Sequence, residues 1–594
     1  MTMHEGCVHG RATPDEIRRT TREHRRNQGI YYTPVAIARY MARNSIECVE
    51  AGLRLRGQRL SVLDPSCGTG VFLAEAVKYL EAKHPVDVEN GGSKPDIFGI
   101  DIDAEALKIA ESTIPGVIFV HGNTLAIPEW DTGTIKWPPA FTSVIDRGGF
   151  DIVIGNPPYV PWDKIPLFDR ASLENGIYID VTFACRPNHA DAQPNYYLFF
   201  IVRAASLING TGVISFLLPQ EWLYHNRAVA FRNYLLDHFG KIEVVLFNPE
   251  AKLFNTPGAN AGTTSMILTL HKRGNAMLLV HFMPEKNSQE IFSAIDRDPE
   301  FKTIEIPFQK LQGHAPWIFL EPGLETIKDA ILQRDVVSFD DERYFDIHGG
   351  FQPPVEVARL FEVSSLDLAN LLPLERDHVF PLVHDAREIK QYVISPSGDR
   401  FWIVANKIGS EREFEAKCPT LHRILNSRVD TSKPSWWCFP NIRNLDTILQ
   451  AREKILAPRT SAGPSFALDS RHSVFKGTNS MILSKKIPIR YVLGILNSKL
   501  SAFWLNAFGF QYHGGKTKKL EPSKARKALV PIKIPRSEEQ HVLIALVNHI
   551  VALTGNGHEQ DTRKVEAMQA RIDSAVFKLY GITKDMQKMI DESL

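Results

Sequence analysis

The residues best suited to chemistry are Asn156, Pro157, Pro158 and Tyr159, which directly follow the apolar run FDIVIG. An exocyclic amine on an aromatic ring is a poor nucleophile, because its lone pair is delocalised into the ring. Two carbonyl oxygens that accept its N–H bonds free that lone pair, and here the Asn156 side chain and the Pro157 backbone supply them. The two prolines fix the turn and so preorganise both acceptors.

Tyr159 adds a ring on which a planar substrate can stack. In an open α/β sheet, ligands bind at the carboxyl ends of the strands, which is where this segment falls. The four residues therefore predict a reaction at a ring amine, and the alternative is a structural Pro-Pro turn that ends in a tyrosine.

A glycine-rich turn, DPSCGTG, lies between the strand-like SVL and the helix-like VFLAEAVKYL. Its glycines permit a tight turn and a close approach of the backbone to a ligand. The turn is neither a dinucleotide fingerprint, because Leu73 takes the third glycine position, nor a P-loop, because no GK[ST] follows. The candidate ligand-binding residues in it are Asp64, Pro65, Cys67, Gly68 and Gly70.

Two further polar positions follow strand-like runs. Asp101 and Asp103 end IFGIDID, and an acid at the end of a second strand is placed to bind ribose hydroxyls. We favour Asp101, because it follows the strand directly. Asn123, in HGNTL after VIFV, is placed for the adenine end of a nucleoside cofactor or is a simple turn residue.

The elements that must position these residues alternate between strands and helices from about Tyr31 to Leu270. Seven apolar β-type runs are separated by helical patterns, which indicates an open, mostly parallel α/β sheet. VISFLL and VVLF are apolar on both faces, as strands covered by helices on both sides should be. The strand-like runs are SVLDP, DIFGID, VIFVHG, FDIVIGNPP, GVISFLLP, IEVVLF and TTSMILTL.

The composition of the sequence changes after about Asp335, where aromatic and turn residues become common. With 594 residues, more than one domain is expected. We predict an α/β domain at 1–335, a mixed α+β domain at 336–537 and a helical tail at 538–594 that contains VLIALVNHIVAL. The aromatic residues that mark the second domain include Trp402, Trp436, Trp437, Phe439, Phe466 and Trp504.

Bulk composition narrows the class of protein. The net charge of +1 neither supports nor excludes a nucleic-acid partner, so any contact with DNA must come from local basic patches. The six cysteines are scattered, without metal-ligand spacing, which favours a reduced protein with no metal site. The N-terminus lacks an apolar signal region, and Arg203 interrupts the most apolar run. We expect a cytoplasmic protein without a membrane partner.

The order of these motifs resembles the adenine-N6 DNA methyltransferases, in particular the TaqI-like, gamma-order group. The resemblance implies a Rossmann-like domain that binds S-adenosylmethionine, followed by a target-recognition domain. QGIYYTP resembles the segment that holds the methionine end of the cofactor and implies roles for Tyr32, Thr33 and Pro34. GIDID resembles the ribose-binding strand and adds Ile102 beside Asp101. HGNTL falls where the family has Gly-Asp, so Asn123 cannot act as a charged acceptor.

The resemblance also implies the substrate and the reaction. NPPY matches the family's catalytic motif, and LFNTPGANAGTTSMILTL resembles a late motif whose aromatic residue, here Phe254, stacks with Tyr159 on a flipped-out base. The implied partner is double-stranded DNA with a specific recognition sequence, and the implied product is N6-methyladenine. The C-terminal part resembles the TaqI-like specificity domain, and KTKKLEPSKARK adds candidate contacts to the DNA backbone at Lys516, Lys518 and Lys519.

Several alternatives stay open at this point. NPPY also resembles motifs of enzymes that methylate protein glutamine or ribosomal RNA bases, but the large second domain favours a long polymer read by sequence. Cytosine-N4 methyltransferases more often have Ser in place of Asn156. A DNA-binding specificity subunit is the third possibility, against which the intact NPPY and glycine turn argue. A restriction nuclease encoded separately is a possible partner.

Overall fold

The structure is a computed structural model, which describes the greater part of the chain. The described residues are 33–56, 59–83, 94–125, 138–165, 170, 173, 178, 195–224, 228–248, 253, 265–283, 287–297, 299–313, 317–351, 354–396, 398–439, 444–509, 518–519, 529–555 and 562–594. The chain divides into two compact units, Met1–Pro322 and Gly323–Leu594. The division seen in the structure thus falls shortly before residue 335, where the composition of the sequence changes.

The first unit is built on a nine-stranded sheet in the order β3-β2-β1-β4-β5-β7-β6-β8-β9. Strands β1 to β5 pair in parallel, and β7 runs antiparallel to both of its neighbours, β5 and β6. The strands are β1 (Ser61–Asp64), β2 (Asp96–Asp101), β3 (Ile118–His121), β4 (Phe150–Gly155), β5 (Ile208–Pro219), β6 (Lys241–Leu246), β7 (Ser265–His271), β8 (Met277–Phe282) and β9 (Lys302–Pro307).

Helices of the first unit are interleaved with these strands. They are α1 (Val35–Arg56), α2 (Val71–Lys83), α3 (Ala104–Thr113), α4 (Pro139–Asp146), α5 (Tyr196–Leu207), α6 (Glu221–Tyr224), α7 (Val229–His238) and α8 (Ser288–Asp296). Short 3₁₀ turns occupy Trp162–Lys164 and Phe308–Lys310. The mostly parallel α/β sheet predicted from the seven apolar runs is confirmed. Helix α1 and strands β8 and β9 were not predicted.

Alternation along each strand divides the core between the two faces of the sheet. In β4, Val153 faces one buried cluster, which includes Phe98 and Phe199 of α5. The flanking Ile152 and Ile154 face the other cluster, which α1 and α2 cover. Both faces are dry, because successive strand side chains point in opposite directions and helices lie on each side.

A cluster of titratable residues lies on strands β7, β6 and β8 of this sheet and is called the Glu243 cluster below. The carboxylate of Glu243 on β6 lies 3.1 Å from His271 Nε2 and 3.8 Å from His281 Nε2, and it also pairs with Lys241. Burial alone would raise the pKa of Glu243, but the two nearby histidines and the lysine hold it well below its usual range. The cluster therefore keeps a carboxylate ionised within the fold.

The second unit combines two small sheets with eleven helices in the part that the structure describes. The sheets have the orders β11-β19-β15-β17 and β12-β14-β13-β18, and two further strand pairs are β10-β21 and β16-β20. The strands are β10 (Val336–Val337), β11 (Phe345–Gly349), β12 (Glu362–Val363), β13 (Val379–Val383), β14 (Phe401–Ile403), β15 (Lys454–Pro458), β16 (Thr460–Ser461), β17 (Ala467–Asp469), β18 (Val474–Phe475), β19 (Asn479–Ser484), β20 (Lys518–Lys519) and β21 (Ile532–Lys533).

The helices of the second unit are short before residue 500 and longer toward the C-terminus. They are α9 (Leu324–Leu332), α10 (Val355–Leu360), α11 (Ser365–Ala369), α12 (Glu411–Lys417), α13 (Pro419–Asn426), α14 (Leu445–Gln450), α15 (Ile489–Leu496), α16 (Lys499–Phe508), α17 (Ser537–Gly555), α18 (Thr562–Tyr580) and α19 (Lys584–Ser593). The 3₁₀ turns are Pro373–His378 and Ala386–Glu388. Val547 of α17 and Ile572 of α18 share one buried cluster with Ile482 of β19, so these helices complete the core of a sheet.

Aromatic residues of the second unit serve packing. The six aromatic residues named in the sequence analysis are each at most 8% exposed, and the ring centroids of Trp402 and Phe439 are 4.5 Å apart. They are therefore not available as stacking platforms for bases. The same unit also buries an ion pair completely, in which Lys454 Nζ lies 3.0 Å from Asp469 Oδ2.

Candidate active site

The polar residues singled out in the sequence meet at one edge of the large sheet. Asp64 ends β1, Asp101 ends β2, Asn123 follows β3 and Asn156 follows β4. These four strands are neighbours and run parallel, so their carboxyl ends share an edge. Between β1 and β4 the strand order reverses direction, and such a switch point opens a crevice for ligands in doubly wound sheets.

The glycine turn is shaped by two residues with positive φ. Gly70 has φ +82°, and a Cβ atom there would lie 2.4 Å from Ile114 Cδ1, so only glycine fits. Gly68 has φ +52°, and among the described residues no atom lies within 4 Å of the position that its Cβ would take. The turn is consequently packed on one side at Gly70 and open at Gly68, where a ligand can approach the backbone.

Asp64 is a buried carboxylate with one oxygen to spare. It is 0% exposed, and its Oδ1 accepts a hydrogen bond from the Ser66 N–H at 3.1 Å. Its Oδ2 and the Ser66 hydroxyl are buried without a hydrogen-bond partner among the residues that the structure describes. Burial raises the pKa of Asp64 well above its ordinary value. A carboxylate oxygen left this way is costly unless a donor or cation completes it.

Asp101 holds the glycine turn in place. Its Oδ2 accepts from the Gly68 N–H at 2.7 Å, and its Oδ1 accepts from the Asp103 N–H at 2.9 Å. Burial raises the pKa of Asp101, and these backbone hydrogen bonds partly oppose the effect. Asp103 has a different task, because it caps helix α3 by accepting from the N–H groups of Glu105 and Ala106. Beside it, Ile102 is an apolar side chain that is 61% exposed.

The segment after β3 supports the turn through a residue that the sequence did not single out. The buried Thr124 hydroxyl donates to the Pro65 carbonyl at 2.7 Å and so ties two loops together. Its neighbour Asn123 uses its side-chain oxygen locally, accepting from the Leu125 N–H at 3.0 Å. Thr124 lies within HGNTL, but its role could not be inferred from the sequence because its contact spans 59 residues.

The amide of Asn156 is oriented by its neighbours. Nδ2 donates to the Thr33 hydroxyl at 3.1 Å, which directs Oδ1 to the other side of the amide. The Tyr159 hydroxyl lies 2.6 Å from that Oδ1 and 2.8 Å from the Leu217 carbonyl oxygen, and it can donate its single proton to only one of them at a time. Thr33 was predicted on the cofactor side of the site, and the structure places it against the Asn156 amide.

Gly155 brings the two motifs together. A Cβ atom at this position would lie 2.6 Å from Asp64 Oδ1 and 3.2 Å from Asp64 Cγ. The carboxylate therefore packs directly over the last residue of β4, one residue before Asn156. The absence of a side chain at Gly155 is what permits this approach, so the position is a requirement of the site.

The ring of Tyr159 is half-buried and held from one side. It makes an edge contact with Tyr197 of helix α5, with 5.9 Å between ring centroids. With its hydroxyl engaged and its edge packed, the ring has little freedom to rotate. Pro157 before it is buried and Pro158 is half-buried, which fixes the turn.

Some predicted site residues are not covered by this geometry. Tyr32, Phe254 and Lys516 lie outside the described residues. Pro34 accepts from the Ala38 N–H at 3.1 Å, at the start of α1. The Cys67 thiol is buried against Gly99, and burial raises its pKa, so this thiol is suited to packing.

Two further findings concern the whole described chain. Within the described ranges, no group of three or more His, Cys, Asp or Glu residues is placed to hold a metal ion. In the same ranges, none of the helices combines the length and apolar character needed to cross a bilayer.

The known proteins that this chain resembles are methyltransferases or restriction-modification enzymes. Residues 96–254 match the family described as Eco57I restriction-modification methylase. The chain is 22% identical over 228 residues to the Type II methyltransferase M.HincII of Haemophilus influenzae, a match of 38% of this chain and 34% of that protein. It is 24% identical over 328 residues to M.VspI of Vibrio sp. (strain 343), a match of 52% of this chain and 68% of that protein.

The match thus spans about a third of the Haemophilus relative's length. Among solved structures, the fold resembles the Type IIL restriction-modification enzyme MmeI in complex with DNA, with a TM-score of 0.56, 14% identity and coverage of 96% of this chain and 79% of that chain. A DrdV–DNA complex is also similar, with a TM-score of 0.51, 14% identity and coverage of 91% and 58%. These identities establish likeness of fold alone. The homologues are methyltransferases of Type II restriction-modification systems, which implies S-adenosylmethionine as the cofactor.

Proposed function

We propose that this protein transfers a methyl group from S-adenosylmethionine to N6 of adenine within a specific sequence of double-stranded DNA. The observation that carries the proposal is the Asn156 amide, whose Nδ2 donates to Thr33 so that its oxygen faces the other way as the acceptor, with the Tyr159 hydroxyl using at most one of its lone pairs. This acceptor stands one residue beyond the point where β4 meets the buried Asp64 carboxylate. Acceptor and cofactor loop are thereby adjacent.

The residues around the glycine turn fit the proposed cofactor. The spare oxygen of Asp64 suits the ammonium of the methionine end, and the open backbone at Gly68 leaves room beside it. Asp101 retains lone pairs beyond those used by two N–H groups, enough for ribose hydroxyls. The exposed Ile102 offers an apolar surface for the adenine ring. When bound, S-adenosylmethionine supplies a methyl group activated by a sulfonium centre.

Asn123 stands where the resembled family has Asp, and it binds the cofactor through a different atom. Its oxygen already accepts from the Leu125 N–H, and we assign the contact with the cofactor to its Nδ2 donor. A donor complements a ring nitrogen of adenine, whereas an Asp at this position would accept from the exocyclic amine. We therefore assign Asn123 to adenine recognition through a donated hydrogen bond.

Activation of the target amine falls to Asn156 and Pro157. The Asn156 oxygen has two lone pairs, of which the Tyr159 hydroxyl uses at most one. An arriving amine can take the second, or it can displace the hydroxyl, which then donates fully to Leu217. The Pro157 carbonyl accepts the other N–H. Both acceptors are preorganised, so little reorganisation is needed as charge develops on the nitrogen.

The target base must leave the duplex to reach these acceptors. Flipping costs a few kcal/mol, and stacking on the restrained ring of Tyr159 offsets part of this cost. Phe254, in the segment that resembles the late aromatic motif, is the proposed second stacking residue. A ring that is already fixed by its hydroxyl and by Tyr197 loses little entropy when the base arrives.

The wider assignment follows the resemblance to the TaqI-like, gamma-order enzymes. We propose residues up to about 335 as the methyltransferase domain, 336–537 as the target-recognition domain and 538–594 as its helical support. The biological role is the modification enzyme of a restriction-modification or phage-defence system, acting on DNA that a separately encoded endonuclease would cut.

The experiment measures transfer of labelled methyl groups to DNA by the wild type, Asn156→Ala and Thr33→Val, with cofactor binding measured in parallel. Removing the Asn156 acceptor should lower kcat by about 10²-fold or more, with cofactor affinity retained. Thr33→Val leaves the amide present but unanchored, so a smaller loss is expected. The exposed Asn370 of the second unit, changed to Ala, is the matched control. An Asn156→Ala protein as fast as the wild type would refute the assignment.

A further inference from the structure

Positive charges gather at one edge of the sheet β12-β14-β13-β18 in the second unit. His384 directly follows β13, and Lys476 directly follows β18. These strands are parallel, with Val383 opposite Phe475, so the imidazole and the ammonium are neighbours. The Leu382 N–H donates to the Arg400 carbonyl at 2.9 Å, which brings the residue before β14 to the same edge. Three strand ends therefore present a basic side chain together.

The surroundings of Lys476 restrain it and leave positive charge in excess. Its ammonium lies 5.8 Å from the ring centroid of the buried Trp402. Burial lowers the pKa of Lys476, Glu362 raises it, and Arg400 and Arg359 lower it further. The pKa of His384 is lowered by burial and then by Lys476 and Arg400.

Neighbouring cations thus add to the effect of burial on both groups, and acids oppose it. Besides Glu362, the acids that act on Lys476 and His384 are Asp385 and Glu388. Asp385 is itself paired with Arg387 at 3.0 Å. An anion bound from outside would reduce the electrostatic repulsion between these neighbouring basic groups.

The charged edge continues along the neighbouring sheet. The Arg459 N–H donates to the Thr478 carbonyl at 2.8 Å, and its guanidinium donates to the Gly477 carbonyl at 3.0 Å. Arg459 thus lies beside the loop that carries Lys476. The next residues, Thr460–Ser461, pair with Lys518–Lys519, which brings the backbone of the basic segment noted in the sequence to the same place.

We infer that the row formed by His384, Arg400, Lys476 and Arg459, called the basic strip below, binds the phosphate backbone of the DNA duplex. The inference rests on the proposed function, which supplies DNA as the polymer. A duplex carries one negative charge per about 1.7 Å of its axis. A row of basic side chains therefore suits a duplex better than it suits a single small anion. Contacts of this kind fix the register of the protein on DNA without reading bases.

The test measures binding of the full-length protein to duplexes of several sequences as a function of salt concentration. Arg400→Ala removes an exposed charge, and Lys476→Met keeps the packing on Trp402 while removing the ammonium. Each lost phosphate contact should reduce the slope of log K against log salt by about 0.9 and weaken binding roughly eightfold at 0.1 M salt. The loss should be equal for all sequences, and cofactor binding should not change. Lys433→Ala, at a lysine 72% exposed in the same unit, is the control.

The outcomes separate this inference from the proposed function. If the wild type binds and methylates DNA but both variants keep its salt slope, the basic strip is not the phosphate site, and the proposed function stands. If the wild type binds no DNA, both fail together. If the variants weaken binding to single-stranded RNA and leave duplex DNA binding intact, the partner class is wrong. Thermal unfolding of each variant distinguishes a lost contact from a lost fold.

Discussion

Gly155 provides the sharpest test of how the site is built. The structure places a hypothetical Cβ 2.6 Å from Asp64 Oδ1, whereas ordinary contact begins at about 3.4 Å. Gly155→Ala must therefore displace a fully buried carboxylate by nearly 1 Å, together with the turn that its Oδ1 holds through Ser66. Overpacking of this kind costs about 1–3 kcal/mol.

If that strain falls on the conformation that binds the cofactor, affinity for S-adenosylmethionine should drop by about 5- to 150-fold. Calorimetric titration of the purified variant measures this directly. Gly210→Ala is the matched control, since no described atom lies within 4 Å of the position its Cβ would take. Combining Gly155→Ala with Asp64→Ala should cost less than the sum of the single changes, because the clashing group is gone. Unchanged affinity in Gly155→Ala would refute the reasoning.

Three other changes test separate parts of the structure. Thr124→Val should cost about 1–3 kcal/mol in the free energy of unfolding because it leaves a buried loop carbonyl unbonded, and Thr124→Ser should restore most of it in thermal unfolding. Lys454→Met or Asp469→Asn alone should cost about 3–5 kcal/mol because each disrupts a buried ion pair, while the double variant, in which the Asn oxygen can still accept from Ser473, should recover much of the loss; additive losses in urea titrations would contradict this. Because the folded-state pKa of Glu243 is depressed, its stabilisation is present above about pH 4.5 and is lost as the pH falls toward the folded pKa. Glu243→Gln should therefore be less stable than the wild type at pH 7, and the difference should become smaller as the pH falls from 4.5 to 3; an equal difference at pH 7 and pH 3 would count against the Glu243 cluster.

Local patterns predicted the parts of the fold in which short segments determine the structure. The apolar run FDIVIG gave strand β4, and VFLAEAVKYLEAK gave helix α2 with the same bounds, Val71–Lys83. Parallel neighbouring strands then bring their carboxyl ends to one edge, so the meeting of Asp64, Asp101 and Asn156 followed from topology. Helix α1 was missed, although its buried residues recur at helical spacing.

Contacts between distant segments could not be predicted in the same way. The Asn156–Thr33 hydrogen bond spans 123 residues and depends on how α1 enters the sheet. The packing of Asp64 on Gly155 is a matter of a few tenths of an ångström, which spacing in a sequence does not encode. In the second unit, a high aromatic content such as that around Trp436 and Trp437 fits a binding face and a core equally well, and only burial distinguishes them.

The central claim is the identity of the product. The protein should be incubated with S-adenosylmethionine and unmethylated DNA, and the DNA then digested to nucleosides and analysed by mass spectrometry, with Asn156→Ala in parallel. The account predicts N6-methyladenine from the wild type and little or none from the variant. N4-methylcytosine would overturn the base assignment, and no methylated nucleoside from a protein that binds the cofactor would contradict the proposed function.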